Sequence, residues 1–165
     1  SPDQSILFFA SDRPGGMGGI DIYYSIKNKA GEWTRSKNIG SVINTEYDDD
    51  GPFIDYDGKT LYFSSQGRKG MGGYDIFRTV YDSVAQQWSE PENLGFPINT
   101  PDDDIYFVMS KDGKTGYYAS VREDGMGYND IYRVTIANAG GGVKKSEVAM
   151  KENPVDKFTP QNIKT

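Results

Sequence analysis

Two runs of carboxylates, Asp48-Asp49-Asp50 and Asp102-Asp103-Asp104, are the densest concentration of ligating side chains in the chain. Each follows an Ile-Asn-Thr triplet, Ile43-Asn44-Thr45 and Ile98-Asn99-Thr100. Carboxylates beside Asn and backbone oxygens suit a hard cation, so Asp48, Asp49, Asp103 and Asp104 are candidate Ca²⁺ ligands. Their spacing does not fit an EF-hand loop, and turn formation with solubility is the simpler expectation. A second set, Asp21, Asp75 and Asp130, follows the glycine-rich stretches Gly16-Met17-Gly18-Gly19, Gly70-Met71-Gly72-Gly73 and Gly125-Met126-Gly127. These carboxylates suit either a metal or the backbone N–H groups of the loop before them. Capping is expected, because a ligand role would rarely recur in every copy. The glycine stretches themselves are no phosphate cradle, since no helix follows and no Gly-Lys-Ser/Thr is present. Trp33 and Trp88 have the chemistry to stack on sugar rings, but a tryptophan that recurs at a fixed step is expected to pack between structural units.

Several reaction classes are excluded outright. The 165 residues contain no histidine and no cysteine, so the chain offers no Ser-His-Asp triad, no thiol nucleophile, no disulfide and no Cys/His zinc site. Ser110-Lys111-Asp112-Gly113 is similar to the Asp-box of sialidases but lacks its spacing and its tryptophan. No two acids are paired as a glycosidase requires. The expectation is a protein with no catalytic residue, no cofactor and no tight metal. A net charge of −6 argues against a nucleic-acid partner. No apolar run approaches the roughly 18 residues of a membrane helix, so no membrane span is expected.

The elements that must position these residues form a repeat. Leu7-Phe8-Phe9-Ala10-Ser11, Leu61-Tyr62-Phe63-Ser64-Ser65 and Gly116-Tyr117-Tyr118-Ala119-Ser120 each precede a glycine stretch and then Asp-Ile-aromatic. Asp21 and Asp75 lie 54 residues apart, and Asp75 and Asp130 lie 55 apart. Trp33 and Trp88, Asn44 and Asn99, and Asp57-Gly58-Lys59 and Asp112-Gly113-Lys114 all keep a step of 55. A fixed step of this size identifies stacked structural units.

Each unit reads as four short strands. In the complete middle unit these are Gly51–Asp55, then a hairpin at Asp57-Gly58-Lys59, then Thr60–Ser65 with period-two alternation. Beyond the glycine loop come Asp75–Tyr81, a polar turn, and an edge strand from Trp88 to about Leu94, demoted by Pro91. The abundance of aromatics and glycines fits short strands joined by tight turns. No segment reads as helical. Met17, Met71 and Met126 are expected to plug the seam between neighbouring units. Residues 137–165 read as a flexible insertion or tail, with a degenerate last strand at 158–163.

The motif Asp-Gly-Lys-Thr-Leu-Tyr-Phe-Ser-Ser followed by Gly-Tyr-Asp-Ile-Phe resembles the WD40-like repeat of TolB-type β-propellers. The long unit, with Trp88-Ser89-Glu90-Pro91-Glu92-Asn93-Leu94-Gly95 and then Ile98-Asn99-Thr100, is most similar to the version in OmpA-family envelope proteins of Bacteroidota. One such architecture is the peptidoglycan-associated component of the type IX secretion machinery. The resemblance covers residues 1 to about 134. It implies an all-β fold of three four-stranded propeller blades of about 55 residues, at about 1–41, 48–96 and 103–136. It further implies a periplasmic, outer-membrane-associated, non-catalytic protein-protein interaction scaffold whose partners are other envelope proteins. Peptidoglycan would be reached only through domains outside this chain. The alternatives are a glycan- or peptidoglycan-binding module using surface aromatics and, behind it, a propeller hydrolase fragment.

Pro2-Asp3-Gln4-Ser5 aligns with the hairpin around Asp57-Gly58-Lys59, so the first unit is expected to lack its first strand. A propeller needs at least about four blades to close. The three units are therefore expected to belong to a larger, six-bladed ring, in a longer chain or by self-association of two copies.

Overall fold

The computed structural model describes residues 1–123 and 125–136. The strand expected at 158–163 lies outside the described residues. Among the described residues the fold is all-β and without helix. In chain order the strands are β1 (Ile6–Ser11), β2 (Asp21–Ile26), β3 (Lys37–Asn38), β4 (Asp49–Ile54), β5 (Thr60–Ser65), β6 (Asp75–Asp82), β7 (Gln87–Trp88), β8 (Glu92–Asn93), β9 (Asp104–Met109), β10 (Thr115–Ser120) and β11 (Asp130–Thr135).

They form three antiparallel sheets, ordered β1-β2-β3, β4-β5-β6-β7 with β8 also on β6, and β9-β10-β11. Each central hairpin has the same register. Ser11 faces Asp21, Ser65 faces Asp75, and Ser120 faces Asp130. The Asp57-Gly58 and Asp112-Gly113 turns form as their residues dictate, with Gly58 at φ 69° and Gly113 at φ 67°.

Two boundaries depart from expectation, and a bulge interrupts the register of two strands. The first strand of the middle sheet starts at Asp49 rather than Gly51, because Asp49 and Asp50 pair with Ser65 and Ser64. A bulge follows, with Gly51 at φ 61° and the register shifted before Phe53. The third sheet repeats the bulge at Tyr106, φ 59°. The expected edge strand Trp88–Leu94 is broken into β7 and β8, since Pro91 has no amide to give to β6. Among the described residues, β1 pairs with β2.

The middle sheet lies between the other two. Leu61, Phe63 and Phe77 face Ile22, Ile43 and Phe8 of the first sheet and its connection. Tyr62 and Ile76 face Phe107, Met109, Tyr118 and Val134 of the third sheet, together with Ile98. This explains why β5 is buried at every position rather than at alternate ones. Strand β10, with one face covered, keeps the alternation. Each fully buried Phe, Leu or Ile contributes roughly 1.5–3 kcal/mol, so the two seams carry most of the stability.

Candidate functional site

The residues with ligating chemistry gather where a glycine loop of one sheet meets the strand entrance of the next. In the first loop, Asp21 accepts hydrogen bonds from the N–H groups of Met17, at 2.5 Å, and Gly18, at 3.3 Å. Asp75 accepts from Met71 at 2.9 Å and Gly72 at 3.1 Å, and Asp130 from Met126 at 2.6 Å and Gly127 at 3.2 Å. All three aspartates therefore cap their own glycine loops.

The acidic runs divide their labour residue by residue. Asp48 accepts from the Ile20 N–H of the first sheet at 2.8 Å, and Asp103 accepts from the Tyr74 N–H of the second at 2.9 Å. In return, the Asp49 N–H donates to Ile20 O at 2.7 Å and the Asp104 N–H to Tyr74 O at 2.8 Å. Asp49 and Asp104 are themselves fully buried. Each carboxylate accepts from the backbone and the hydroxyl of the threonine four residues before it, Thr45 and Thr100. The expectation of solubility residues is thus corrected. Only part of each run faces water, because Asp48 and Asp49 of the first and Asp103 and Asp104 of the second clamp one sheet to the next. Among the described residues, no three acidic side chains converge as a metal site.

Burial sets the charge state of the inner carboxyls. Desolvation raises Asp49 and Asp104 above the ordinary aspartate value, against opposing hydrogen bonds from Thr45 and Thr100. Ser65 and Ser120 stand directly opposite and also oppose the rise, yet neither makes a well-aligned hydrogen bond to the carboxyl, and one oxygen of each carboxyl is buried without a partner. Burial likewise raises Asp55. A raised folded value stabilises the fold below the ordinary value of about 3.9, and that stabilisation is lost as pH rises through the raised one. Asp57 is lowered although burial opposes it, through Thr60 and Lys59, while Asp82 and Asp112 are lowered by local hydrogen bonds. Their contribution is lost only as pH falls below the ordinary range. The melting temperature is therefore expected to rise as pH falls from 7 toward the ordinary aspartate range and to fall again below it. A melting temperature that is highest at pH 7 contradicts this.

Asn44 and Asn99, noted in the sequence as repeat markers and as neighbours of the acidic runs, act as structural joints. Asn99 is fully buried; it accepts from Ile76 N–H at 2.8 Å and donates to Ile76 O at 2.9 Å and Asn93 Oδ1 at 2.7 Å. Asn44 makes the same three bonds with Ile22 and Asn38. Each side chain mimics a peptide group and extends the sheet beyond its last short strand.

Two further expectations resolve differently. Met17, Met71 and Met126 do not plug the seams: they are 45, 48 and 99% exposed. The seam contact there belongs to glycine backbone. A Cβ on Gly18 would lie 2.0 Å from Tyr47 O, and one on Gly72 would lie 2.1 Å from Asp102 O. The methionines contribute their N–H groups to the aspartate caps and turn their side chains outward. Trp88 packs in the first seam, 6.2 Å from Phe8 and 5.1 Å from Tyr81 between ring centroids. Its counterpart Trp33 is 47% exposed, with the Lys27 ammonium 5.5 Å from the ring centroid.

One set of residues is not singled out in the sequence. The guanidinium of Arg13 lies 4.9 and 4.7 Å from the ring centroids of Phe9 and Tyr23. Arg68 covers Phe63 and Phe77, and Arg122 covers Tyr118 and Tyr132. Arg68 also donates to the carbonyls of Val42 and Ile43, and Arg122 to those of Pro97 and Ile98. Each thus ties its aromatic pair to the preceding connection. The signal was available but staggered: Arg13 and Arg122 share one repeat position, whereas Arg68 sits one residue later, after Gly67.

No protein-family model matches the chain, and no curated protein matches it.

Proposed function

We propose that the chain is a non-catalytic interaction scaffold of the bacterial cell envelope, built from β-propeller blades and located in the periplasm in association with the outer membrane. One observation carries the non-catalytic reading. The carboxylates that sequence chemistry singles out are bound to backbone N–H groups and threonine hydroxyls, where they join loops and sheets, and so they are not presented to a substrate. The blade reading rests on the up-and-down strand order, the shared register and the face-to-face seams. Apolar surface remains for partners. Val108, Tyr117 and Ile131 on the outer face of the third sheet are 40, 41 and 70% exposed, although the equivalent Tyr62 and Ile76 of the middle sheet are buried. Envelope location and envelope partners rest on the repeat resemblance.

The glycan-binding alternative draws on surface aromatics. Of the two repeated tryptophans, Trp88 is committed to packing, which leaves Trp33 alone for it. A panel of glycoside, ester and peptide substrates is expected to show no turnover above buffer. Turnover abolished by a single Asp→Asn substitution overturns the proposal.

A further inference from the structure

The chain contains four Asp-Gly pairs, at 50–51, 57–58, 112–113 and 124–125. In such a pair the glycine has no side chain to shield its amide nitrogen from the preceding carboxyl. That nitrogen can close a five-membered ring on the carboxyl carbon, provided the two groups are held together. Asp124 lies outside the described residues. The other three aspartates are placed very differently.

At Asp57 and Asp112 the carboxyl is held away from the glycine that follows. Asp57 Oδ1 accepts from the N–H groups of Lys59 and Thr60, both at 2.8 Å. Asp112 Oδ1 accepts from the Ser110 hydroxyl at 2.7 Å and from Lys114 N–H at 3.1 Å. The glycine amides are engaged elsewhere, Gly58 N–H with Asp55 O at 2.9 Å and Gly113 N–H with Ser110 O at 2.8 Å. Asp50 is the opposite case. Its Oδ1 accepts from the N–H of Gly51 itself at 2.6 Å, and its Oδ2 accepts from the Tyr106 hydroxyl at 3.4 Å. Gly51 falls in the bulge of β4, between the Asp50–Ser64 and Phe53–Tyr62 pairs, so no ladder partner withdraws its amide. The same pose recurs at Asp55, whose Oδ1 accepts from Tyr56 N–H at 2.6 Å, but there a tyrosine side chain shields the nitrogen. Among the described residues, pose and glycine coincide at Asp50 alone.

We propose that Asp50-Gly51 is a site of spontaneous backbone modification, at which the chain isomerises through a succinimide to isoaspartate. The Gly51 nitrogen forms a bond to Asp50 Cγ, while the amide proton and the hydroxyl of the protonated carboxyl leave together as water. The succinimide then takes up water. Addition at Cγ restores aspartate, whereas addition at the Asp50 main-chain carbonyl leaves the chain running through Cβ and Cγ. That product carries an extra methylene in the backbone at the bulge. Space there is short, since a Cβ on Gly51 would lie 2.9 Å from Tyr106 Cδ1 and 3.4 Å from its Cα. The added atom presses β4 against β9, and the displaced carboxylate loses the Tyr106 hydroxyl. Modification at Asp50 therefore loosens the contact between the middle and third sheets, and it creates a substrate for enzymes that methylate isoaspartate.

The test ages the whole chain at neutral pH and physiological temperature, folded and in parallel unfolded in urea. Isoaspartate is then quantified at each position by digestion and electron-transfer mass spectrometry. Relative to its own rate in urea, isomerisation of the folded protein is expected to be at least about tenfold faster at Asp50 than at Asp57 or Asp112, because misplacing reacting atoms by about 1 Å costs up to about a hundredfold. A smaller ratio, or faster reaction at Asp57 or Asp112, overturns the inference. Asp50→Glu keeps the charge but cannot close the five-membered ring. Its melting temperature should survive ageing while that of the unaltered protein falls, and equal falls in both overturn the link to the sheet contact. The site-by-site rates need no variant, so the inference stays open to refutation even if Asp50→Glu folds poorly.

Discussion

Asn99→Ala is expected to lower the unfolding free energy by about 3 kcal/mol, a large share of the roughly 5–15 kcal/mol that holds a domain of this size. The substitution removes the only acceptor shown for the buried Ile76 N–H and one of the two donors to Ile76 O, the other being Leu94 N–H. It also removes the Asn99 hydrogen bond to Asn93 Oδ1, on the residue that β8 pairs with Phe77. The edge of the middle sheet and the second seam should loosen together. Asn44→Ala should behave alike in the first seam, because Asn44 makes the same bonds to Ile22 and Asn38. Urea unfolding of both variants gives the measurement. A loss below about 1 kcal/mol for either, the value of an ordinary exposed hydrogen bond, would show that the side chain is not the joint described here.

Gly72→Ala should be comparably severe for a different reason. The added methyl would sit 2.1 Å from Asp102 O and 2.8 Å from Thr100 O, both backbone atoms that cannot rotate away. The loop must retreat, and with it the Tyr74 bonds to Asp103 and Asp104 that clamp the second sheet to the third. About 3 kcal/mol of destabilisation is expected, at the upper end for overpacking. Gly113→Ala is the control. Its site is open within 4 Å, so only the strain of φ 67° opposes the methyl, about 1 kcal/mol. Equal losses at the two positions would remove the argument that close backbone approach requires glycine in the loop.

The repeat, the all-β class and the hairpin at Thr60–Ser65 and Asp75–Tyr81 were legible because they are local patterns reiterated at a fixed step. The capping role of Asp21, Asp75 and Asp130 was legible too, since each carboxylate reaches N–H groups only three or four residues away. What escaped was carried between units. Asp48 meets Ile20 across 28 residues and Asp103 meets Tyr74 across 29, distances at which an acidic run reads simply as a polar turn. The methionines misled because a repeated apolar side chain suggests packing, whereas in this loop the backbone makes the contact. Strand β4 began early for a related reason: its first residues are aspartates, poor strand formers that are held by a partner strand and a threonine.

The central claim is that the chain serves by holding partners rather than by turning over substrate. It is tested most directly by affinity capture of the full-length protein from its native envelope, with mass spectrometry of what is retained. The account predicts defined envelope proteins, retained in fixed proportion and released when the seams are broken by Asn99→Ala. An envelope preparation in which nothing is retained by the folded protein would contradict it.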